Sequence, residues 1–445
     1  VSGHRAVVVG AGLAGLAAAR VLVDHVDEVV VVERDPLPED ASTRPGTPQG
    51  RHLHNLLLRG LNELEQMLPG LTQELRAAGA VPVNLTQDLW MRGLFGWFPR
   101  HPSDLTMLGC SRPLLEQVVR RRVRALPGIR WLDGHEVRGL DVERGRVTGV
   151  RCRPRRGRDG GSVDGASEEE VYIEASMVID AAGRGSRLPQ WLASSFGGPP
   201  EETVVNAFLG YSTRLYRPPA SLPDWTALVV RDPLPARRGG AIMPREGGVW
   251  GVTLFGFGRD YPPTDAAGFD AFARGLHGPE FTAALRDAEP MSEAAGFQQT
   301  ACRLRHFERL TNVPEGYVAL GDTVCTFNPL YGQGMTVAVL GAAALGRLLA
   351  ERGPGPGLCA ALRERVAEML EVPWRMATGE DYRYEGTEGP PRTAALRMAH
   401  TYVDRVARAA VSDPVVHYRW LRVVNLLDPP RALLAPRVLR RALVV

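Results

Sequence analysis

Three short segments hold residues whose types and spacing could do chemistry. Gly10-Ala11-Gly12-Leu13-Ala14-Gly15 sets three glycines at G-x-G-x-x-G spacing. Gly10 suits a tight turn, Gly12 lets the backbone approach a pyrophosphate, and Gly15 lets a helix pack close to a strand. Glu33 follows 18 residues after Gly15, where a carboxylate can accept both hydroxyls of an adenosine ribose. The third segment runs from Gly321-Asp322 through Asn328-Pro329 to Gly332-Gln333-Gly334-Met335. Asp322 is suited to hold a ribityl hydroxyl, and a helix opening at Gly332 to Met335 would aim backbone N–H groups and a dipole at an anion.

The elements that must position these residues are legible around them. Ala6 to Val9 is a continuous apolar run of the buried parallel-strand kind, Leu16 to Val23 forms helix, and Val29 to Val32 is a second buried strand. This β-α-β context turns a common glycine spacing into a dinucleotide fingerprint. Leu53 to Met67 reads as a helix, and Pro113 to Leu126 as another, with Ser111 as its N-cap. Val171 to Ile179 has strand character, whereas Arg153 to Glu170 reads as a polar surface loop. Val204 to Phe257 alternates as a twisted antiparallel sheet would, Tyr317 to Leu320 is a buried strand, and Met335 to Leu349 is helical.

Composition excludes several chemistries. All 53 basic side chains are Arg and Lys is absent, so Schiff bases, a pyridoxal phosphate anchor, a Walker lysine and a lysine base are ruled out. A net charge of +3 is too balanced to argue for a nucleic-acid partner. The five cysteines are scattered without C-x-x-C spacing, which speaks against a disulfide framework or zinc site and for a reducing cytoplasmic setting. His52 and His54 form an H-x-H pair; with no third ligand evident, they are expected to pack or hydrogen-bond rather than hold a metal. Trp90, Phe95, Trp97 and Phe98 serve either a substrate pocket or the core.

Together the glycine fingerprint, Glu33-Arg34-Asp35, Pro48 to His54, Ser111 to Glu116, the Asp180 to Ser186 turn and the Gly321-Asp322 segment resemble the FAD-dependent monooxygenases of the para-hydroxybenzoate hydroxylase fold. Within that group they are most similar to the squalene-epoxidase-like branch with its polyether polyketide epoxidases. The resemblance implies an α/β fold: a Rossmann-like FAD-binding domain of glutathione-reductase type, an inserted antiparallel substrate sheet and a C-terminal helical region. The FAD-binding domain would comprise residues 1–75, 105–195 and 300–365, the substrate domain 76–104 and 196–299, and the helical region 366–445.

By the same resemblance Gly10, Gly12, Gly15, Glu33 and Arg34 would hold the ADP half of FAD. Arg112 would lie beside the phosphate or ribityl chain and Asp322 in the pyrophosphate-ribityl region. Gly332, Gln333, Gly334 and Met335 would face the pyrimidine edge, with Arg51, His52 and Pro329 near the ring. The implied chemistry is oxygenation of a lipophilic polyketide or terpenoid through a flavin hydroperoxide, most readily epoxidation. Aromatic hydroxylation and a non-redox FAD-containing cyclase are the alternatives. Electrons would come from NADPH or a separate flavin reductase, since Ala182-Gly183 replaces the Asp-Gly of many hydroxylases. Halogenases of related fold need a lysine that this chain lacks. The tail from Arg392 to Val445, with ten Arg and three Asp, reads as basic amphipathic helices that either pack on the body or contact an anionic membrane.

Overall fold

Valine-rich runs bury on both faces, and here they pair side by side. The computed structural model describes residues 4–155, 169–187, 189–191 and 198–444, so the expected loop over Arg153 to Glu170 lies mostly outside the described residues. Five parallel strands stand in the order Tyr317–Ala319, Met177–Asp180, Arg5–Val9, Glu28–Glu33, Ile129–Asp133. Val9 is in register with both Val32 and Asp180, and Asp180 with Ala319. Gly10, Glu33, Asp180 and the Gly321-Asp322 turn therefore gather at the carboxyl edge of one sheet, where open α/β sheets bind ligands.

Two helices seal one face of this sheet. Leu13–Leu22 leaves the glycine turn and packs on the long helix Gln333–Arg352, which is apolar because it is mostly buried in the core. That helix is also long and apolar enough by composition to cross a membrane. The Arg112–Arg124 helix begins as expected, with the Ser111 hydroxyl accepting from the Leu114 N–H at 3.1 Å. The helix foreseen from Leu53 begins only at Leu58. Residues Pro48–Arg51 form a short 3-10 turn, and the chain then carries no helix up to Leu57, whose N–H donates to Thr336 Oγ1 at 3.1 Å. This contact with the long helix holds the segment out of helical geometry.

The second sheet runs Glu289–Pro290, Gly210–Arg217, Val249–Gly256, Arg238–Arg245, Ala227–Arg231, Leu89–Gly93, Gly96–Trp97, with Ala295–Phe297 also on Gly210–Arg217. It departs from the antiparallel expectation at one join, where Ala227–Arg231 and Leu89–Gly93 run parallel. Alternation splits it into two faces. Tyr216, Leu228, Val230, Trp250, Val252 and Leu254 bury against the helices Ala266–Arg274 and Glu280–Leu285. Tyr211, Thr213, Thr253 and Phe255 lie on the opposite face, where Thr213 meets His52.

Trp90 and Trp97 stack at 4.2 Å against the helix-covered core, so they are core aromatics. Phe98 joins the C-terminal helices Ala394–Ser412, Pro414–Val424 and Pro436–Val444 in a core with Val406, Val416, Val423 and Val438. Helix Leu358–Asp381 passes through Pro373 without interruption.

Candidate active site

The glycine turn is built as its spacing dictates. Gly10 has φ +101°, and its N–H donates to the Val32 carbonyl at 2.7 Å. A Cβ on Gly15 would stand 1.8 Å from the Gly10 carbonyl oxygen. Gly12 differs: a Cβ there would meet only the Arg44 guanidinium, at 3.9 Å, so the space beside it is open.

Glu33 is buried and already engaged. One carboxylate oxygen accepts from the Ala11 N–H at 2.7 Å and from Arg44 at 2.8 Å, and the other accepts from the Asp35 N–H at 3.0 Å. Its remaining lone pairs are what a ribose could use. Arg44, which the motif did not include, is the centre of this corner. It donates to the Ala11 carbonyl at 3.1 Å and lies 3.5 Å from Glu116, with its own side chain only 6% exposed. Burial works against the Arg44 charge, but Glu33 and Glu116 outweigh it and raise the guanidinium pKa. Burial likewise opposes the Glu116 charge, while Arg112 and Arg44 prevail and lower its pKa. Arg112 donates to Glu116 at 2.7 Å. Arg44, Arg112 and Arg120 with Ser42, Thr47, Gly50 and Glu116 line one cleft. Arg112 also borders a second, apolar cleft with His54, Leu56, Cys110 and Met335. Arg34 and Arg51 are exposed.

On the neighbouring strand end, Asp180 is fully buried and accepts from Ser186 Oγ at 2.6 Å, Tyr317 OH at 3.0 Å and the Ala182 N–H at 3.1 Å. It pins the Ala182-Gly183 turn beside Asp322, whose Cβ would lie 4.0 Å from a side chain at Gly183. Asp322 makes no hydrogen bond within the described residues; burial raises its pKa, while Arg112 and Arg184 lower it. Its Oδ1 lies 3.8 Å from where a Cβ on Gly334 would stand. Gly332 takes φ +67° as N-cap of Gln333–Arg352, and the chain at Asn55 passes within 3.3 Å of its would-be Cβ.

The Pro329 turn connects this edge to the second sheet. Leu330 packs with Tyr211, Phe255, Phe257 and Phe297. His52 meets Tyr211 edge-on at 4.7 Å. His52 Nδ1 is 2.9 Å from Thr213 Oγ1, which is 2.7 Å from Thr253 Oγ1. Burial, helped by Arg51, lowers the His52 pKa to about 4, so this imidazole is neutral at pH 7. His54 Nδ1 turns back to the His52 carbonyl at 3.1 Å. The pair hydrogen-bonds and packs in different directions.

This is the architecture of a dinucleotide-binding flavoprotein: a parallel sheet with a glycine turn, a second acidic turn at the same edge and an aromatic sheet facing both. The family described as FAD binding domain matches residues 4–379, and the chain belongs to that family, with FAD as its cofactor. Protein Rv3254 of Mycobacterium tuberculosis is 35% identical over 436 residues, covering 95% of this chain and 90% of that protein. Among solved structures, p-nitrophenol 4-monooxygenase PnpA of Pseudomonas putida superposes with TM-score 0.64 at 17% identity, over 95% of this chain and 97% of its own. The flavin-dependent halogenase CmlS gives TM-score 0.64 at 15% identity, over 92% of this chain and 71% of its own. At such identities the likeness is one of fold.

The residues present fit the cofactor. Among the described residues Arg44 Nε and Gln333 Oε1 are buried without a hydrogen-bond partner, and Asp322 offers a carboxylate that accepts from none of them. Buried polar atoms are rarely left so, and all three border the edge where an FAD would extend. Replacing Asp322 by Ala is expected to weaken FAD binding by about 1.5–3 kcal/mol, the worth of a charged hydrogen bond. Equilibrium dialysis checks this, and a thermal melt of the apoprotein should remain unchanged.

Proposed function

We propose that this chain is an FAD-dependent monooxygenase that epoxidises an alkene of a lipophilic polyketide or terpenoid intermediate. In this reading Gly10, Gly12, Gly15, Glu33 and Arg34 hold the ADP half of FAD. Arg44 and Arg112 flank the pyrophosphate, and Asp322 takes a ribityl hydroxyl. The backbone N–H groups of Gly332, Gln333, Gly334 and Met335 meet the pyrimidine edge, with Pro329 and His52 near the ring and Arg51 at the rim. Bound FAD would supply two-electron redox chemistry and oxygen activation; the balance is alkene, O2, NADPH and a proton going to epoxide, water and NADP+. NADPH or a separate flavin reductase would deliver the electrons.

The observation that supports the reading is the apolar cluster that packs around the Pro329 turn. Tyr211, Phe255, Phe257, Phe297 and Leu330 form one apolar cluster. The polar groups beside it, His52, Thr213 and Thr253, bond to one another, and His52 is neutral. In this reading the apolar surroundings of the turn keep water from the reacting centre, which is what an alkene needs from the protein, since it is itself the nucleophile. The absence of any lysine among 53 basic residues disfavours halogenation.

The test incubates the holoprotein with NADPH, with and without a flavin reductase, and a polyene under 18O2. One 18O atom per epoxide is expected, with no product when oxygen or reductant is withheld. Turnover that persists without both would replace this reading by a non-redox cyclase, and halide incorporation would replace it by a halogenase.

A further inference from the structure

The turn that carries Pro329 is clamped from outside the FAD family's matched span. Asp381 is the last residue of the helix Leu358–Asp381, two residues beyond the match that ends at 379, and it is 1% exposed. One carboxyl oxygen accepts from Asn328 Nδ2 at 2.7 Å and from Tyr331 OH at 2.8 Å, one partner at each end of the turn. The other lies 3.4 Å from Cys302 Sγ, and the Asn328 N–H donates to that sulfur at 3.1 Å. Asn328 closes the turn by accepting from the Leu330 N–H at 3.1 Å, and Gly332 follows as the cap of the long helix. A short segment is thus tied at three points to one buried carboxyl group and one thiol.

We propose that Asp381 is a positioning residue that holds the Asn328–Tyr331 turn against the flavin and makes the setting of that turn depend on proton uptake. The proposal rests on the placement of the flavin edge at Pro329 and Gly332–Met335 given above. Burial raises the Asp381 pKa to about 7, with Tyr331, Asn328 and Cys302 opposing it and Glu380 adding to it. Below that pH the neutral acid can donate from its second oxygen to Cys302 Sγ. Above it the buried carboxylate accepts from Tyr331, Asn328 and the Cys302 thiol, at the cost of a desolvated charge. Because the folded pKa exceeds the usual carboxylic value of 3.8, the contribution to stability is complete below that value, falls as pH rises from there and is gone once pH passes about 7.

Among the described residues the cations nearest Asp381 are engaged by other acids. Glu380, on the same helix, is paired with Arg383 at 2.8 Å and Arg231 at 3.4 Å. Arg231 also donates to Tyr384 OH at 3.0 Å, and Arg383 to Asp404 at 2.6 Å. Cys302 and Cys325, from the strands behind the turn, are both held protonated by burial.

The test measures flavin fluorescence and the FAD dissociation constant of the holoprotein from pH 6 to 8. Wild type, Asp381→Asn, Tyr331→Phe and Pro329→Gly are compared, with circular dichroism to verify folding. Wild type should change across this range with a midpoint near 7, and Asp381→Asn should be flat while binding FAD within about threefold at pH 6, because its amide oxygen still accepts both hydrogen bonds. Tyr331→Phe should keep the titration with the midpoint shifted upward, since one donor that favours the carboxylate is gone. If Asp381→Asn retains the wild-type pH response while Pro329→Gly alters the flavin signal, the proposal is overturned and the placement of the flavin stands. If Pro329→Gly and Asp381→Asn are both silent, the placement fails and the proposal falls with it.

Discussion

Replacing Arg44 by Ala is expected to destabilise the folded protein by about 3–5 kcal/mol and to yield protein purified without FAD, because the change strands buried carboxylates. Glu33 and Glu116, 6% and 5% exposed in their side chains, both face this guanidinium. With Arg44 gone, Glu116 keeps Arg112 at 2.7 Å, but among the described residues Glu33 keeps only backbone donors, Ala11 and Asp35. Glu33 would then stand as a buried charge without its cation or draw water into the sheet edge, and either response disturbs the glycine turn through Ala11. Arg44→Lys restores the charge but not the fork that reaches Glu33 and the Ala11 carbonyl together, so an intermediate loss is expected. Thermal melts of apoprotein and holoprotein, read with the flavin-to-protein absorbance ratio, check both variants. An Arg44→Ala protein that melts and loads FAD like wild type would remove Arg44 from the site.

Gly15→Ala and Gly12→Ala should fail in different ways. At Gly15 the new methyl would lie 1.8 Å from the Gly10 carbonyl oxygen and 3.2 Å from Val8 Cγ1. The Leu13–Leu22 helix would have to leave the sheet, and with it the buried contacts to the long helix, so little soluble protein is expected. At Gly12 the methyl meets nothing nearer than Arg44 at 3.9 Å, so folding should be unimpaired. It occupies the space through which a pyrophosphate approaches, and FAD affinity should fall by at least about 100-fold, on the order of 3 kcal/mol. Expression yield and melting temperature read the first effect, and dialysis against FAD reads the second. A Gly12→Ala protein with normal affinity would mean that the dinucleotide takes another path.

Much of the site was open to reading from the chain alone, for a local reason. Gly10, Gly12 and Gly15 announce themselves because only glycine can take φ +101° at the first and the close helix approach at the third. Glu33 follows because a strand of fixed length must end beside that turn, and the Gly332 turn stands out because a glycine cap precedes an apolar helix. Arg44 carries no such signature. It is one of 53 arginines, its loop has no periodicity, and only the fold brings it between two acids from different elements. Asp381 is similar: nothing around it in sequence separates it from a solvated helix end, yet the helix delivers it beneath a turn some 50 residues earlier. The helix expected from Leu53 began at Leu58 because a contact with Thr336, hundreds of residues away in sequence, outweighed local propensity.

The sequence by itself determined the dinucleotide fold, the glycine turn at the carboxyl edge of its sheet and the classes of amine chemistry the protein cannot perform, since backbone geometry and residue type are local properties. The tertiary structure alone decided which charges neutralise one another, which imidazole is neutral and which distant carboxyl group steadies the Pro329 turn. Desolvation and pairing depend on what surrounds a side chain in space, and neighbours in space come from segments whose sequence separation carries no record of the contact.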